Sequence, residues 1–272
     1  MFTYGNKEFA TKKELFAFLV ENKAQLIAQK KAVKKEVDCS VQISPVLVTE
    51  KKGANKAEPG QTDSDTLKVV CVINTTNFLD SHQDLHLPGL WEKSVKENKM
   101  IMHLQEHEME FEKVISEGKD LTVYTKTYKW SELGYNYPGT TEALIFESLI
   151  RRKRNEFMFN QYANGWVKNH SVGMFYVKMA MAINDEDYPN EYEAWKKYYP
   201  EIANPEKADE RGYFWYVLEA KCVEGSAVPI GSNTATPTLE TGKSPEGTLN
   251  ILKPDNSTSK GINYEYLIKN LK

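Results

Sequence analysis

The sequence predicts an α+β fold built around a mainly antiparallel β-sheet or barrel. Short strand-like segments outnumber helical ones in the middle of the chain, and no internal repeat occurs at a solenoid or propeller period. Of the 272 residues, 40% are hydrophobic, which is enough to bury one substantial core. We therefore expect one main domain with smaller appendages.

The N-terminal region is predicted to hold a helix, a strand and a linker. Thr11 and Glu14 form a capping-box pattern, and apolar residues then recur on one side of a helix that should run to about Lys35. A β-like segment, 39–50, and a solvated linker, 51–65, should follow. The helix and its strand are expected either to pack on the main domain or to act as a separate docking arm.

The main domain is expected to begin near Thr66. Runs rich in β-branched and aromatic residues predict strands at 67–73, 113–116, 121–125, 171–181 and 213–223. Helices are predicted at 90–95, over 140–162 with a cationic face at 151–154, and within the proline-interrupted segment 185–209.

The C-terminal region is predicted to be a flexible tail. From Thr236 to about Gly261 the chain is rich in Thr, Pro, Gly and Ser, so it buries too little apolar surface to offset the entropy lost on ordering. Residues 262–268 regain apolar character and are a candidate docking peptide. The predicted division of the chain is 1–65, 66–235 and 236–272.

Composition limits the classes of function. The formal charge of −3 and pI near 6.0 provide no general attraction to nucleic acid or to acidic membranes. Three cysteines (Cys39, Cys71 and Cys222) lack the spacing of a disulfide framework or a cysteine zinc site. The sequence contains no apolar run long enough to span a membrane and no N-terminal secretory pattern. We therefore expect a soluble protein that is not exported.

Three short segments carry a candidate serine hydrolase site. They are Leu104-Gln-Glu-His107-Glu, Asn169-His-Ser171-Val-Gly-Met-Phe175 and Val223-Glu224-Gly-Ser-Ala-Val-Pro-Ile-Gly231-Ser-Asn233. A serine hydroxyl becomes a good nucleophile when an imidazole accepts its proton and a third group orients that ring. Taken singly each residue type is more often an ordinary surface side chain, so the prediction depends on the three together.

Local sequence assigns a role to each candidate. Ser171 is expected at the head of a strand beside Gly173, where the N–H groups of Val172 and Gly173 could face an oxyanion. His170 should point to the opposite face of that strand and serve a structural role, because adjacent strand side chains alternate. His107 is then the candidate base and Glu224 the candidate acid.

Four blocks of the chain together resemble the prohead maturation proteases of tailed bacteriophages. They are Asp80-Ser-His-Gln-Asp-Leu-His-Leu-Pro-Gly-Leu-Trp91, His107 after an apolar stretch, the Asn169–Phe175 segment, and the Glu224–Ala235 segment. The resemblance covers about 67–235, and its last block is the most specific. The chain departs from the family at Gln83, Trp91 and Ser232, which stand in place of glycine, phenylalanine and alanine, and the stretch from 175 to 224 is long.

The resemblance implies both a fold and an activity. The family is similar to the herpesvirus assemblins, whose fold is a closed β-barrel decorated with helices. Position by position, it implies Ser171 as nucleophile, His107 as general base and Glu224 as the ring-orienting third member, with no metal or cofactor. The implied activity is that of a serine endopeptidase that matures a viral procapsid.

The resemblance also implies partners and a location. Substrates would be the scaffold or the N-terminal extension of the major capsid protein precursor, the portal and the protease itself. The protein would act in the host cytoplasm, inside the assembling procapsid, with no membrane and no direct nucleic-acid partner. The sequence leaves the oligomeric state and the cleavage-site preference open.

A metalloprotease is the first alternative. His103-Leu-Gln-Glu106-His107 spells the His-x-x-Glu-His pattern of inverted zincins. If 102–112 were helical, the two imidazoles would lie one turn apart and could bind one Zn²⁺, with Glu106 as general base. No recognisable third-ligand motif follows. His82 and His86 share the spacing, but Pro88 and Gly89 predict a turn there.

A non-enzymatic procapsid scaffolding or assembly factor is the second alternative. Its docking elements would be the N-terminal helix and the C-terminal tail. Such a protein has no need for the histidine, serine and glutamate blocks together, so cleavage of a capsid precursor separates the two functions.

Overall fold

The computed structural model describes residues 1–32, 65–98 and 100–243. The strands are β1 (Phe2–Tyr4), β2 (Lys7–Phe9), β3 (Thr66–Thr75), β4 (Asp84–His86), β5 (Met102–Gln105), β6 (Val114–Glu117), β7 (Leu121–Lys129), β8 (Thr140–Arg151), β9 (Asn169–Ile183), β10 (Tyr213–Val228) and β11 (Thr238–Lys243). The α-helices are α1 (Lys12–Glu21), α2 (Lys23–Ala32), α3 (Glu92–Glu97), α4 (Glu156–Ala163), α5 (Pro189–Tyr198) and α6 (Glu206–Arg211).

The predicted α+β class with mainly antiparallel pairing is confirmed, but the closed barrel is not found. Strands of the described ranges form three open sheets instead. One is the β1–β2 hairpin, the second has the order β4-β10-β5-β6 with β9 also paired to β10, and the third has the order β11-β3-β8-β7. No helix in the described part of the chain is long and apolar enough to cross a membrane.

Strand β10 organises the second sheet. It pairs antiparallel with β9 along nearly its whole length. On its other edge it pairs in parallel first with β4, from Trp215 to Val217, and then with β5, from Glu224 to Ala227. This arrangement brings the candidate segments 104–108, 169–175 and 223–233 side by side at one end of the sheet.

The predicted helix over 140–162 is wrong. This stretch forms β8, a tight turn and the short helix α4, which begins after the N-cap Asn155. Strand β8 lies between β3 and β7, and Ala143–Phe146 are all fully buried. Because both faces are covered, the strand carries a continuous apolar run in place of an alternating pattern. The cationic residues lie at the strand end and in the turn, where Arg151 binds Asp120.

The other predicted strands of the main domain are confirmed as β3, β6, β7, β9 and β10, several of them longer than expected. The helical excursion within 185–209 is also confirmed as α5 and α6, and Pro189 lies in the first turn of α5, where its missing N–H has no cost. The short helix expected at 90–95 is α3, displaced two residues towards the C-terminus.

The N-terminal helix is two helices that pack on the main domain. Thr11 Oγ1 accepts a hydrogen bond from the N–H of Glu14, as the capping pattern predicts, but the helix is interrupted at Asn22. Four apolar side chains of these helices are buried in the same core as β3, β8 and β10; they are Leu15, Phe16, Leu19 and Leu26. The predicted strand at 39–50 and the linker 51–64 lie outside the described residues.

The predicted disorder from Thr236 onward is wrong for 236–243. These residues include β11, which pairs antiparallel with β3 from Leu67 to Cys71. Backbone pairing with an existing strand orders this segment despite its polar composition. The main sheet structure therefore reaches at least Lys243, whereas 244–272, with the candidate docking peptide, lies outside the described residues.

Gly225 lets β10 lie close against the third sheet. A Cβ atom at this position would come within 2.6 Å of Phe146 Cε2 and 2.8 Å of Ile73 Cγ2. Both contacts are core side chains of β8 and β3. The two sheets thus pack face to face behind the candidate site, with a glycine at their closest approach.

We expect Gly225→Ala to lower the free energy of unfolding by roughly 1–3 kcal/mol, because the added methyl group forces two core side chains aside. Chemical denaturation monitored by tryptophan fluorescence measures the change. Gly242→Ala is the matched control, since a Cβ atom on that β11 residue meets no atom within 4 Å. Equal stabilities of the two variants would show that the sheets do not approach this closely.

Candidate catalytic site

The three predicted catalytic residues lie on neighbouring segments of the second sheet. Glu224 is on β10, Ser171 is on β9, and His107 follows the end of β5 by two residues. In the β9–β10 ladder Ser171 pairs with Ser226, and Glu224 is two residues from Ser226. Since strand side chains alternate and paired residues share a face, Ser171, Glu224 and Ser226 project from the same face.

His107 and Glu224 form a buried hydrogen-bonded pair. The His107 Nδ1 atom lies 2.7 Å from Glu224 Oε1, and the two side chains are 7% and 0% exposed. A carboxylate accepts only, so Nδ1 carries the proton and Nε2 is left as the basic nitrogen. Nε2 is buried and has no hydrogen-bond partner among the described residues. In the neutral ring this nitrogen is the one that can accept a proton, as a general base must.

Ser226 completes the support of this pair, and sequence reasoning missed it. Its hydroxyl donates to Glu224 Oε2 at 2.6 Å and accepts from the backbone N–H of His107 at 3.1 Å. One side chain therefore fixes both the carboxylate and the turn that carries the imidazole. The sequence does contain the information needed to find Ser226, because residues two apart on a strand project from the same face, and Ser226 follows Glu224 by two.

The turn after β5 has a strained backbone, and it places the His107 side chain against β10. Glu106 and His107 both adopt left-handed backbone conformations, with φ of 52° and 63°. Each costs roughly 1 kcal/mol or more for a non-glycine residue. The Glu106 N–H donates to Ala227 O at 3.0 Å, which anchors the turn to β10. Such strain at a chemically capable residue is typical of functional sites.

Ser171 lies beside this arrangement without a bond to His107. It is 5% exposed and pairs with Ser226 across the β9–β10 ladder. Because His107 Nε2 is unpartnered within the described residues, the serine–imidazole hydrogen bond is not formed. Catalytic hydrogen bonds of this kind often tighten only when substrate binds.

The expected position of Ser171 at a strand head is wrong by two residues. Strand β9 begins at Asn169, and Val172 and Gly173 pair with Gly225 and Glu224 inside the ladder. Their backbone belongs to the sheet and not to a turn, so their role as oxyanion donors stays a prediction.

The zinc arrangement expected of an inverted zincin is not formed. Residues 102–105 are strand β5 and not a helix, so His103 and His107 do not share a helical face. His103 lies within the core, where its ring nitrogens bond with Ser148 and Tyr162. Glu106 is in the strained turn. The second pattern fails likewise, because His86 is buried in β4 and its Nδ1 bonds with Asn74.

A second polar cluster lies on the opposite face of the sheet. His170, as expected from strand alternation, points away from Ser171, and its Nε2 bonds with Tyr162 Oη. The ligand-type atoms of Cys71, His103 and His170 lie within 4.8 Å of one another. Burial lowers the pKa of His170 to about 4 and the pKa of His103 well below its usual value, so both rings are neutral near pH 7.

The chain has no match among models of known protein families, curated proteins or solved structures.

We expect Ser226→Ala to reduce kcat for an activated ester, p-nitrophenyl acetate, about tenfold with little change in KM, because Glu224 and the His107 turn lose a shared hydrogen bond. Hydrolysis in buffer without protein is subtracted as background, and Ser171→Ala should not exceed it. Ser131→Ala, which removes an exposed hydroxyl, is the control and should match the wild type. If Ser226→Ala abolished hydrolysis while Ser171→Ala retained it, the roles of the two serines would be exchanged.

Proposed function

We propose that the protein is a serine endopeptidase that matures a viral procapsid. The observation that carries the proposal is the buried His107–Glu224 pair, whose Nε2 has no partner among the described residues, on the face of the β9–β10 ladder that Ser171 shares. An imidazole held at Nδ1 by a carboxylate, beside a serine, is the arrangement by which unrelated hydrolases activate a hydroxyl. Acyl transfer through Ser171 is the chemistry that these side chains support best.

In the proposed mechanism Ser171 Oγ attacks the scissile carbonyl carbon while His107 Nε2 takes the hydroxyl proton. Glu224 stabilises the resulting imidazolium through the Nδ1–H bond, and Ser226 keeps the carboxylate in place. The imidazolium then protonates the departing amine, which leaves an acyl-enzyme on Ser171. A water molecule deprotonated by His107 attacks the ester carbon. The bond to Ser171 Oγ then breaks, the imidazolium returns the proton to that oxygen, and the carboxylic acid product leaves.

The strand that carries Ser171 also supports binding of an extended peptide. Phe175 and Val177 alternate with buried residues on β9, and their side chains are 38% and 41% exposed. Strand alternation places Phe175 on the same face as Ser171, and the exposed Val177 follows at an irregularity where the pairing steps from Tyr176 to Lys178. An apolar strip in line with a nucleophile suits a protein segment better than a small polar metabolite.

The family resemblance directs the proposal to capsid substrates, and one local conformation supports it. Gln83 has a φ of 63° at the position where the family carries glycine, the residue that adopts this conformation most easily. Asp80 Oδ1 accepts from the N–H groups of His82 and Asp84 and so builds the turn into β4. The proposed substrates are the scaffold, the major capsid protein precursor, the portal and the protease itself.

We expect Ser171→Ala and His107→Ala each to abolish cleavage of a co-expressed capsid precursor, and the double variant to be no worse than either. The two groups act as one unit, so their losses do not add. Gel electrophoresis and intact-mass measurement of the precursor follow the reaction.

Ser131→Ala is the matched control and should cleave like the wild type. EDTA or o-phenanthroline should leave cleavage intact. Near wild-type cleavage by folded Ser171→Ala would overturn the serine mechanism. If the purified protein contained stoichiometric zinc, and chelation removed both the zinc and the activity, a metalloprotease would be favoured. Assembly of the shell without any cleavage by the wild type would favour the scaffolding function.

A further inference from the structure

Tyr162 joins two strands that do not pair with each other. Strands β5 and β9 lie on opposite edges of β10. The Tyr162 hydroxyl, from helix α4, lies 3.1 Å from His103 Nε2 and 3.0 Å from His170 Nε2. His103 is four residues before His107, and His170 directly precedes Ser171. The hydroxyl therefore links the two segments that carry the proposed base and nucleophile.

The small residues of β10 make room for this bridge. His103 pairs with Gly225 and His170 pairs with Ala227, so both imidazoles lie on the face opposite Glu224 and Ser226. The two imidazole centroids are 6.3 Å apart. Larger side chains on β10 would occupy the space that the rings and the hydroxyl share.

Hydrogen-bond chemistry fixes the tautomer of His170. Its Nδ1 lies 3.0 Å from the backbone oxygen of Thr236, which can only accept. Nδ1 therefore carries the proton of this neutral ring, and Nε2 is an acceptor. The Tyr162 hydroxyl must then donate its single proton to His170.

The same reasoning fixes His103 in the opposite tautomer. Because the Tyr162 proton is committed to His170, His103 Nε2 must donate to the hydroxyl oxygen. His103 Nδ1 then accepts from Ser148 Oγ at 3.0 Å, and Ser148 accepts from Ser116 Oγ at 2.5 Å. A single series of hydrogen bonds, all donating in the same direction, thus gives each of these fully buried ring nitrogens a partner.

We propose that Tyr162, His103 and His170 are positioning residues that hold His107 and Ser171 in register from behind the sheet. The proposal rests on the proposed function. In this buried series of hydrogen bonds each proton has only one possible position. The series therefore resists sliding of β5 or β9 along β10, because any shift would leave a buried donor or acceptor unpaired. The proposed catalytic side chains thus lie on one face of the sheet, and the side chains that position them lie on the other.

A zinc ion is the competing occupant of this cluster. Cys71, His103 and His170 are zinc-ligand types, and burial keeps the Cys71 thiol protonated by raising its pKa. Zinc bonds to nitrogen at about 2.0–2.1 Å, so an ion bound by both Nε2 atoms would have to displace the tyrosine hydroxyl from them. The hydrogen-bonded chain accounts for both atoms without this change.

The tautomers are tested without reference to activity. Long-range ¹H–¹⁵N correlation spectra of the full chain, labelled with ¹⁵N-histidine, should show His103 protonated at Nε2 and His170 protonated at Nδ1 at pH 7. Spectra of His103→Gln and His170→Gln assign the signals among the five histidines. Any other pair of tautomers, or metal-shifted nitrogens with stoichiometric zinc by mass spectrometry, overturns the proposed chain.

The positioning role is tested with Tyr162→Phe, which removes only the bridging oxygen. We expect kcat for p-nitrophenyl acetate to fall about tenfold with KM changed by less than about twofold, since a small misplacement of reacting groups slows chemistry more than binding. Tyr213→Phe, at another buried tyrosine, is the control and should keep the wild-type kcat. His103→Gln, whose amide can still donate to Tyr162, should keep more activity than His103→Ala.

The outcomes separate this proposal from the proposed function. An unchanged kcat in folded Tyr162→Phe overturns the positioning role and leaves the serine mechanism intact. A wild type that hydrolyses no faster than Ser171→Ala overturns both, whereas the tautomer spectrum still decides whether the proton chain exists.

Discussion

The alternation of side chains along the last five residues of β10 is the constraint on which the site depends. Glu224 and Ser226 face one way and bind the His107 turn, whereas Gly225 and Ala227 face the other and admit the third sheet. A shift of register by one residue would exchange the two faces. The carboxylate would then enter the apolar core, and the site would disappear.

Burial of Glu224 sets the second requirement. A fully buried carboxylate costs several kcal/mol unless its oxygens are satisfied by donors. His107 Nδ1 and the Ser226 hydroxyl supply donors to the two oxygens. Removing either partner would leave a desolvated charge, so the pair and its serine form one unit. The strained turn at Glu106 and His107 delivers the imidazole to this carboxylate.

The sequence named Ser171, His107 and Glu224 from three short segments and from the family resemblance, and the structure brings those segments together at one end of the second sheet. Their catalytic roles stay a prediction. Ser226 was not predicted, although the period of two from Glu224 was sufficient to find it. The helix predicted over 140–162 failed since a strand buried on both faces has no alternating pattern. Segment 236–243 was misjudged because pairing with β3 depends on a partner more than 160 residues away in sequence.

The most direct test of the account is the position of a covalent adduct. The protein is treated with diisopropyl fluorophosphate, and peptide mapping by mass spectrometry locates the modified residue. The account predicts one adduct on Ser171 that is lost in His107→Ala. An adduct on Ser226 instead, or an unmodified Ser171 in a preparation that cleaves the capsid precursor, would contradict the assignment of the nucleophile.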